Sequence, residues 1–197
     1  PGSGGERVAA KGPRRPFPQH VRYAKGTIAP NHRRQGQLDD DVRAAYGRWK
    51  RRYLVRIEDA GGAGAQRPRY RVAFGKPGSA NHGSTVSEGQ GYGMMIVALM
   101  AGHDPEAQTI FDGLWRFARE HRSCIDERLM LWRIPNRSHG CASATDGDLD
   151  IAYGLLLAHA QCGSGGAVDY AAASRGGLAL RLDSDQGIRA LNRRWSG

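Results

Sequence analysis

Residues 85–95 read TVSEGQGYGMM and run directly into the apolar segment IVALMA. That run predicts a helix from about Ser87 to Ala101, yet glycines stand at 89, 91 and 93. Each costs about 1 kcal/mol against alanine inside a helix. One explanation is access: glycines at i, i+2 and i+4 strip side chains from the first turn, so that a flat polar ligand such as a sugar ring reaches the backbone and Glu88. The other is close packing of a second helix. Composition alone does not separate the two. The glycine spacing does not fit a dinucleotide fingerprint, and Gly75-Lys76 lacks the rest of a phosphate loop.

The rest of the chain reads as helices joined by long loops. Residues 1–16, rich in Gly, Pro and Arg, read as a disordered lead-in, and 17–34 are loop-like, punctuated by Pro18, Gly26, Pro30 and Asn31. From Gln37, Leu38, Val42, Ala45, Tyr46, Trp49 and Tyr53 share one helical face. Asp39, Asp40 and Asp41 are expected in its first turn and Arg51 and Arg52 in its last, as the macrodipole favours. A Gly- and Pro-rich passage at 60–84 follows, in which RYRVAF suits a short strand. A third helix starts near Pro105, with Ile110, Phe111, Leu114, Phe117 and Ala118 inside. A fourth covers about Asp146 to Ala160, with Leu149, Ala152, Tyr153, Leu156, Leu157 and Ala160 inside. A weaker fifth falls near Asp169–Leu180, interrupted by Gly176-Gly177. The expected class is all-α, with long loops over the helix ends carrying function.

Composition narrows the field. A chain of 197 residues, 40% apolar and 24% charged, suits one globular domain. No run of about 20 apolar residues predicts a membrane span, and the first residues lack the apolar core of a signal peptide. The chain begins with proline, as a processed, trimmed or partial product would. The net charge of +10 comes mostly from arginine. It raises nucleic acid as a partner, but the arginines are scattered and accompany no recognised nucleic-acid motif. Cys124, Cys141 and Cys162 are too few for a disulfide framework; a single Cys124–Cys141 bridge across a loop suits an exported protein. His139-x-Cys141 with Cys162 has no recognised metal-ligand spacing.

The candidate chemistry sits at two helix starts. In SATDGDLDIAYGLLLAHA, Asp146, Asp148 and Asp150 open the fourth helix, and Ser143 or Thr145 is placed to cap it. Acids at a helix start offset the dipole, which is their ordinary structural use, and that setting favours the ionised form. Such a residue suits binding a hydroxyl or a developing positive charge, not donating a proton. Glu88 is a single acid among small and aromatic residues. To donate a proton near neutral pH it needs burial or a second carboxylate nearby, against the pull of the dipole. Tyr92, Trp115 and Trp132 could stack on sugars. Trp115 reads as core, whereas Trp132, in the loop LMLWRIPN between the two acidic sites, is the better platform.

Taken together, PFPQHVRYAKGTI, QLDDDVRAAYGRWKRRYL, VSEGQGYGMM, FDGLWRFAR, LMLWRI and ATDGDLDIAYGLLLAHAQ resemble glycoside hydrolase family 8, over about Phe17 to Gln161. The resemblance implies an (α/α)6 barrel, of which 17–197 would be a part, with substrate crossing the N-terminal ends of the inner helices. It implies inverting, endo-acting hydrolysis of β-1,4-glucans, with relatives that cut chitosan, mixed-linkage glucan or xylan. It further implies a secreted monomer that needs no metal or organic cofactor and has no nucleic-acid or membrane partner. Glu88 matches the family's general acid, Asp146 the carboxylate that holds the sugar at the cleavage point, and Trp132 an aromatic that stacks there. Tyr92 and Ser143 are further substrate-contact candidates. In an inverting pair, acid and base stand about 6.5–9.5 Å apart to admit water.

The chain departs from the family pattern at Gly154, where Ala or Ser is usual, and at Cys162, where an aromatic is usual. It lacks a segment of the Y-D-A-x-R type, which carries the water-activating aspartate; DYAAASRGG is only superficially similar. Past about Gly163 the likeness fades. A non-catalytic sugar binder is therefore the rival reading, and a basic helical protein that binds nucleic acid is the third.

Overall fold

The computed structural model describes residues 12–21, 24–28, 30–57, 67–135 and 140–175. Its elements run α1 (Gln35–Tyr53), β1 (Leu54–Ile57), β2 (Arg69–Val72), β3 (Thr85–Val86), α2 (Ser87–Leu99), α3 (Ala107–Glu120), β4 (Arg133–Ile134) and α4 (Thr145–Cys162). The backbone is helical again from 170 to 175, where the fifth helix is expected; 176–180 lie outside the described residues, as does most of the lead-in.

Helix α2 is the centre of the molecule. Ser87, Gln90, Gly91, Gly93, Met94, Val97 and Ala98 are all buried. Gln90 is fully enclosed yet satisfied: its Oε1 accepts from Val72 N at 3.0 Å, and its Nε2 donates to Tyr70 O at 3.2 Å and Leu114 O at 2.9 Å. One amide thus ties α2 to β2 and α3 without leaving an orphaned polar group. The expected inner face of α3 is observed: Ile110, Phe111, Leu114, Phe117 and Ala118 are buried.

The glycines of α2 mark where other elements press on it. A Cβ on Gly91 would lie 2.5 Å from Asp150 Cβ and 2.9 Å from Ile151 N of α4. One on Gly93 would collide with Val72. The contact is reciprocal, because a Cβ on Gly147 would lie 2.6 Å from Glu88 N and one on Gly154 would lie 2.9 Å from Met94 Cβ. Gly89 alone among the three has room, its nearest neighbour being Val86 at 3.6 Å. Close packing therefore accounts for Gly91 and Gly93, whereas at Gly89 a Cβ would make ordinary contact with Val86 and Val72, so neither explanation requires glycine there.

The same seam corrects the expected inner face of α4. Gly147, Ile151, Gly154 and Ala158 face inward, whereas Leu149, Tyr153 and Leu156 are exposed. Helix α4 is apolar nearly all round, so two rows of residues are equally plausible as its inner face; the row with the smaller side chains is the one that meets α2. Leu157 is half-buried against the core, and so is Trp115, with Arg119 over its ring.

Helix α1 starts two residues earlier than its pattern suggests, which moves Asp39–Asp41 out of the first turn. Asp39 is buried instead and accepts hydrogen bonds from Gln35 Nε2 at 3.0 Å and from His20 at 2.8 Å. Of its apolar face only Tyr46 is buried. Val42 and Ala45 line an open apolar groove of about 510 Å3 with Trp49, Phe17, Ile96 and Leu99.

Strands are more numerous than the one expected. The pairs β1–β2 and β3–β4 are antiparallel, with Leu54↔Val72 and Thr85↔Ile134 in register. Two-residue strands carry no periodic signal, and loop contacts create them. Ser143 and Thr145 do not cap α4: its N-cap is Ala144, and no side chain there makes the capping bond. Cys124 and Cys141 form a disulfide, as the sequence allows.

Two outcomes follow from this packing. Gly91→Ala should destabilise the chain by about 1–3 kcal/mol through overpacking, whereas Gly89→Ala should be neutral or mildly stabilising, as urea unfolding of both would show. The open groove and the exposed Leu99, Tyr153 and Leu156 should make the 197-residue chain self-associate as its concentration rises. A monodisperse monomer throughout a light-scattering dilution series would contradict this.

Candidate active site

The α2–α4 seam brings the starts of both helices together. Because Gly147 lies against Ser87 and the Glu88 backbone, the two acidic sequence motifs occupy one end of one helix pair. Glu88 is half-buried on α2, and Asp146 is exposed on the first turn of α4, where its Oδ1 accepts from Gly147 N at 2.8 Å.

The three aspartates of the motif play different parts. Asp148 turns inward, is 5% exposed, and accepts from Met130 N at 3.3 Å, so it anchors the loop that leads to Trp132. Asp146 and Asp150, four residues apart, lie on one helical face. Burial pushes the Asp150 carboxyl above its ordinary range, and the charges of Glu88 and Asp146 push it further. Three carboxylates from two helices therefore share one field. In the sequence Asp150 stands only as one of three acids at a helix start; its i, i+4 relation to Asp146 is the signal that could have singled it out.

Tyr92 lies one turn beyond Glu88, and its hydroxyl donates to Glu88 Oε1 at 2.9 Å. That hydrogen bond, then the charge of Glu88, raises the phenol above its usual range. The ring is 46% exposed, so Tyr92 both contacts the acid and faces solvent.

Trp132 reaches the same place through the chain before β4. Its carbonyl accepts from Ser87 N at 3.0 Å, satisfying one of the amide donors that a helix start leaves open. Its own N–H donates to Ala142 O at 3.0 Å, and Cys124 N donates to Cys141 O at 3.1 Å beside the disulfide. The indole is 41% exposed, as its loop position suggests. Ser143 is half-buried in the loop three residues before Asp146. Among the described residues no group of three or more His, Cys, Asp or Glu is placed to hold a metal ion. Cys141 is occupied by its disulfide, and His139 lies outside the described residues.

Clustered carboxylates at paired helix starts, beside an exposed indole, make up the candidate site. Comparison with known proteins gives the family. The model for glycosyl hydrolases family 8 matches residues 38–177, and the chain belongs to that family. It is 41% identical over 177 residues to a β-glucanase of Niallia circulans, covering 88% of this chain and 40% of that protein. It is 45% identical over 159 residues to an endoglucanase of Bacillus sp. strain KSM-330, covering 79% of this chain and 34% of that one. The solved apo structure of a β-1,3-1,4-glucanase from Paenibacillus sp. X4 superposes with a TM-score of 0.75 at 41% identity, over 88% of this chain and 43% of that one. The chain thus spans well under half the length of each of these relatives.

The Tyr92–Glu88 bond has a direct test. Glu88→Gln removes the charge but keeps an acceptor oxygen, whereas Glu88→Ala removes both of the largest causes of the raised phenol, so the Tyr92 ionisation should move to lower pH in Glu88→Gln and further in Glu88→Ala, with smaller shifts for Asp150→Asn and Asp146→Asn. Phenol titration by ultraviolet difference spectroscopy reads this; an unmoved titration in Glu88→Gln would contradict the contact.

Proposed function

We propose that this chain supplies the acid side of an inverting glycoside hydrolase that cuts β-1,4-linked glucan internally, within an (α/α)6 barrel. The observation that carries the reading is the convergence of Glu88, Asp146 and Asp150 at one end of the α2–α4 pair, with exposed Trp132 hydrogen-bonded into the same helix start.

In this reading the glucan lies across the helix ends. Trp132 stacks on a sugar face beside the cleavage point, with Tyr92 and Ser143 as further contacts. Asp146 holds a hydroxyl of the sugar whose bond breaks and faces the positive charge that develops on it. Glu88 donates its proton to the leaving oxygen, while a base on the opposite face takes a proton from the attacking water. The glycosidic C–O bond breaks, the water oxygen bonds to the anomeric carbon, and the configuration inverts. None of these steps draws on a metal or an organic cofactor.

No Y-D-A-x-R segment, the type that carries the base in this family, occurs in the chain. We therefore expect little or no turnover from the chain alone, and the same observation favours a second reading, sugar binding without hydrolysis. The Cys124–Cys141 disulfide supports export to an oxidising compartment. Among the described residues no helix is long and apolar enough to cross a membrane.

Two measurements test the proposal. Calorimetry should show cello-oligosaccharide binding that weakens about tenfold in Trp132→Ala, the loss of roughly 1.4 kcal/mol of stacking; no binding at all would overturn the carbohydrate reading. Reducing-end assays on barley glucan should show at most trace release. Robust release abolished by Glu88→Gln would keep the acid assignment and show that the base lies within this chain.

A further inference from the structure

Between the end of α1, β2 and the turn that leads to β3 lies a cleft of about 480 Å3 whose charged lining is basic. Its floor includes Tyr53 and Phe74, and Arg52, Arg71, Lys76 and His82 also line it. Among the described residues no acidic side chain does.

Main-chain bonds hold the walls. Ala73 N donates to Tyr53 O at 2.8 Å, Phe74 N to Ser84 O at 2.8 Å and Gly83 N to Phe74 O at 2.9 Å. Gly75 has φ +95° and leaves no room for a Cβ against the Asn81 carbonyl, so this turn requires glycine. Arg71 is half-buried between these walls. Its Nη1 donates to Gly83 O at 2.6 Å and to Thr85 Oγ1 at 3.1 Å, both neutral acceptors. Burial lowers its pKa, and among the described residues no carboxylate acts against that shift. Arg69, two residues earlier on β2, instead pairs with Glu120 at 3.0 Å.

A half-buried guanidinium without a counter-charge is costly, and neighbouring cations in a concave site add to the cost. Such a site is completed by an oxyanion from outside, for which the planar guanidinium is the fitting partner. The aromatic floor and the volume suit a sugar-sized body. Gly83 lies five residues before Glu88, at most about 17 Å of extended chain, so the cleft is within reach of a saccharide of a few units bound at the carboxylate cluster.

We propose that this cleft is a subsite for a carboxylate-bearing sugar, such as a uronic acid carried on the glucan or xylan chain. The carboxylate rests on Arg71 with Lys76 and Arg52 nearby, and the ring lies against Phe74, since the Arg52 guanidinium already stands over the Tyr53 ring at 5.3 Å. The choice of a sugar rests on the proposed function, whereas binding of the anion does not.

The test is calorimetry on the 197-residue chain at low salt, with an oligosaccharide carrying one glucuronic acid, its neutral counterpart of equal length, and inorganic phosphate. The acidic oligosaccharide should bind at least about tenfold tighter than the neutral one, a gap worth about 1.4 kcal/mol, and added salt should narrow it. Arg71→Gln should remove that preference. Because Arg71 also braces β3, the double variant Arg52→Gln/Lys76→Gln, on exposed side chains, should reduce it independently, and Glu88→Gln should leave it intact. Equal affinity for the two oligosaccharides, or a preference untouched by both sets of substitutions, would overturn the subsite. Phosphate bound as tightly as the acidic sugar would overturn its saccharide character in favour of a free-anion site. Failure of neutral cello-oligosaccharides to bind, with the acidic preference retained, would count against the glucan reading alone.

Discussion

The approach of α2 to α4 is the constraint on which the rest of the structure depends. Gly91 on one helix, and Gly147 and Gly154 on the other, let main chain meet main chain. Each glycine weakens its helix by about 1 kcal/mol in propensity, and contact between well-packed neighbours offsets it. The seam runs to the very start of both helices, and this is what places Glu88 beside the first turn of α4. A wider spacing set by alanine or serine would separate the carboxylates and weaken their mutual field.

That closeness has an electrostatic consequence. Helix starts favour anions, because their free amides and aligned dipoles present positive potential. One carboxylate at such a place is stabilised; three repel one another. The surplus negative charge falls on Asp150, whose carboxyl is pushed towards its protonated form by burial and by its two acidic neighbours. Asp148 escapes the competition by turning inward to the Met130 amide. Glu88 meets a hydrogen-bond donor instead, the Tyr92 hydroxyl. This bears on the proton donation proposed for it. Sequence leads one to expect a single acid among small and aromatic residues, and the folded chain holds a half-buried one with the phenol of Tyr92 attached. Donating a proton from Glu88 would require that hydroxyl to remain on Oε1 while Oε2 faces the leaving oxygen.

Legibility from sequence followed the strength of periodicity. Helix α3 has one apolar face, so its pattern alone identifies its buried residues. Helix α4 is apolar on nearly every side, so periodicity offers no unique answer and points to the wrong row. Side-chain size is the deciding signal, since a row of Gly and Ala residues is what lets a neighbour come close. The paired strands β3 and β4 are invisible in the sequence because two residues have no period. Yet they are what carries Trp132 to the start of α2, so the indole's exposure is legible and its anchoring is not. Caps fail for a related reason. Ser143 and Thr145 have suitable side chains, but Ala144 occupies the capping position, and the intervening contacts of the loop set that register.

Net charge was the least informative feature of the sequence. At +10 the chain looks suited to polyanions, but the charges are sorted locally. Lys50 answers Asp104 at 2.7 Å, Arg69 answers Glu120 at 3.0 Å, and Arg128 answers Asp126 at 2.8 Å. At the paired helix starts the balance reverses: burial, Glu88 and Asp146 all oppose the negative charge of Asp150, with no lysine or arginine of the described residues among the influences on it. A cluster of carboxylates in a positive protein resists anionic ligands and favours a group that becomes positive as it reacts. The oxocarbenium-like sugar of the proposed glycoside cleavage is such a group, neutral when it binds and cationic only near the transition state. The basic cleft beside Arg71 has the opposite preference, and a single sugar chain with an acidic branch would satisfy both.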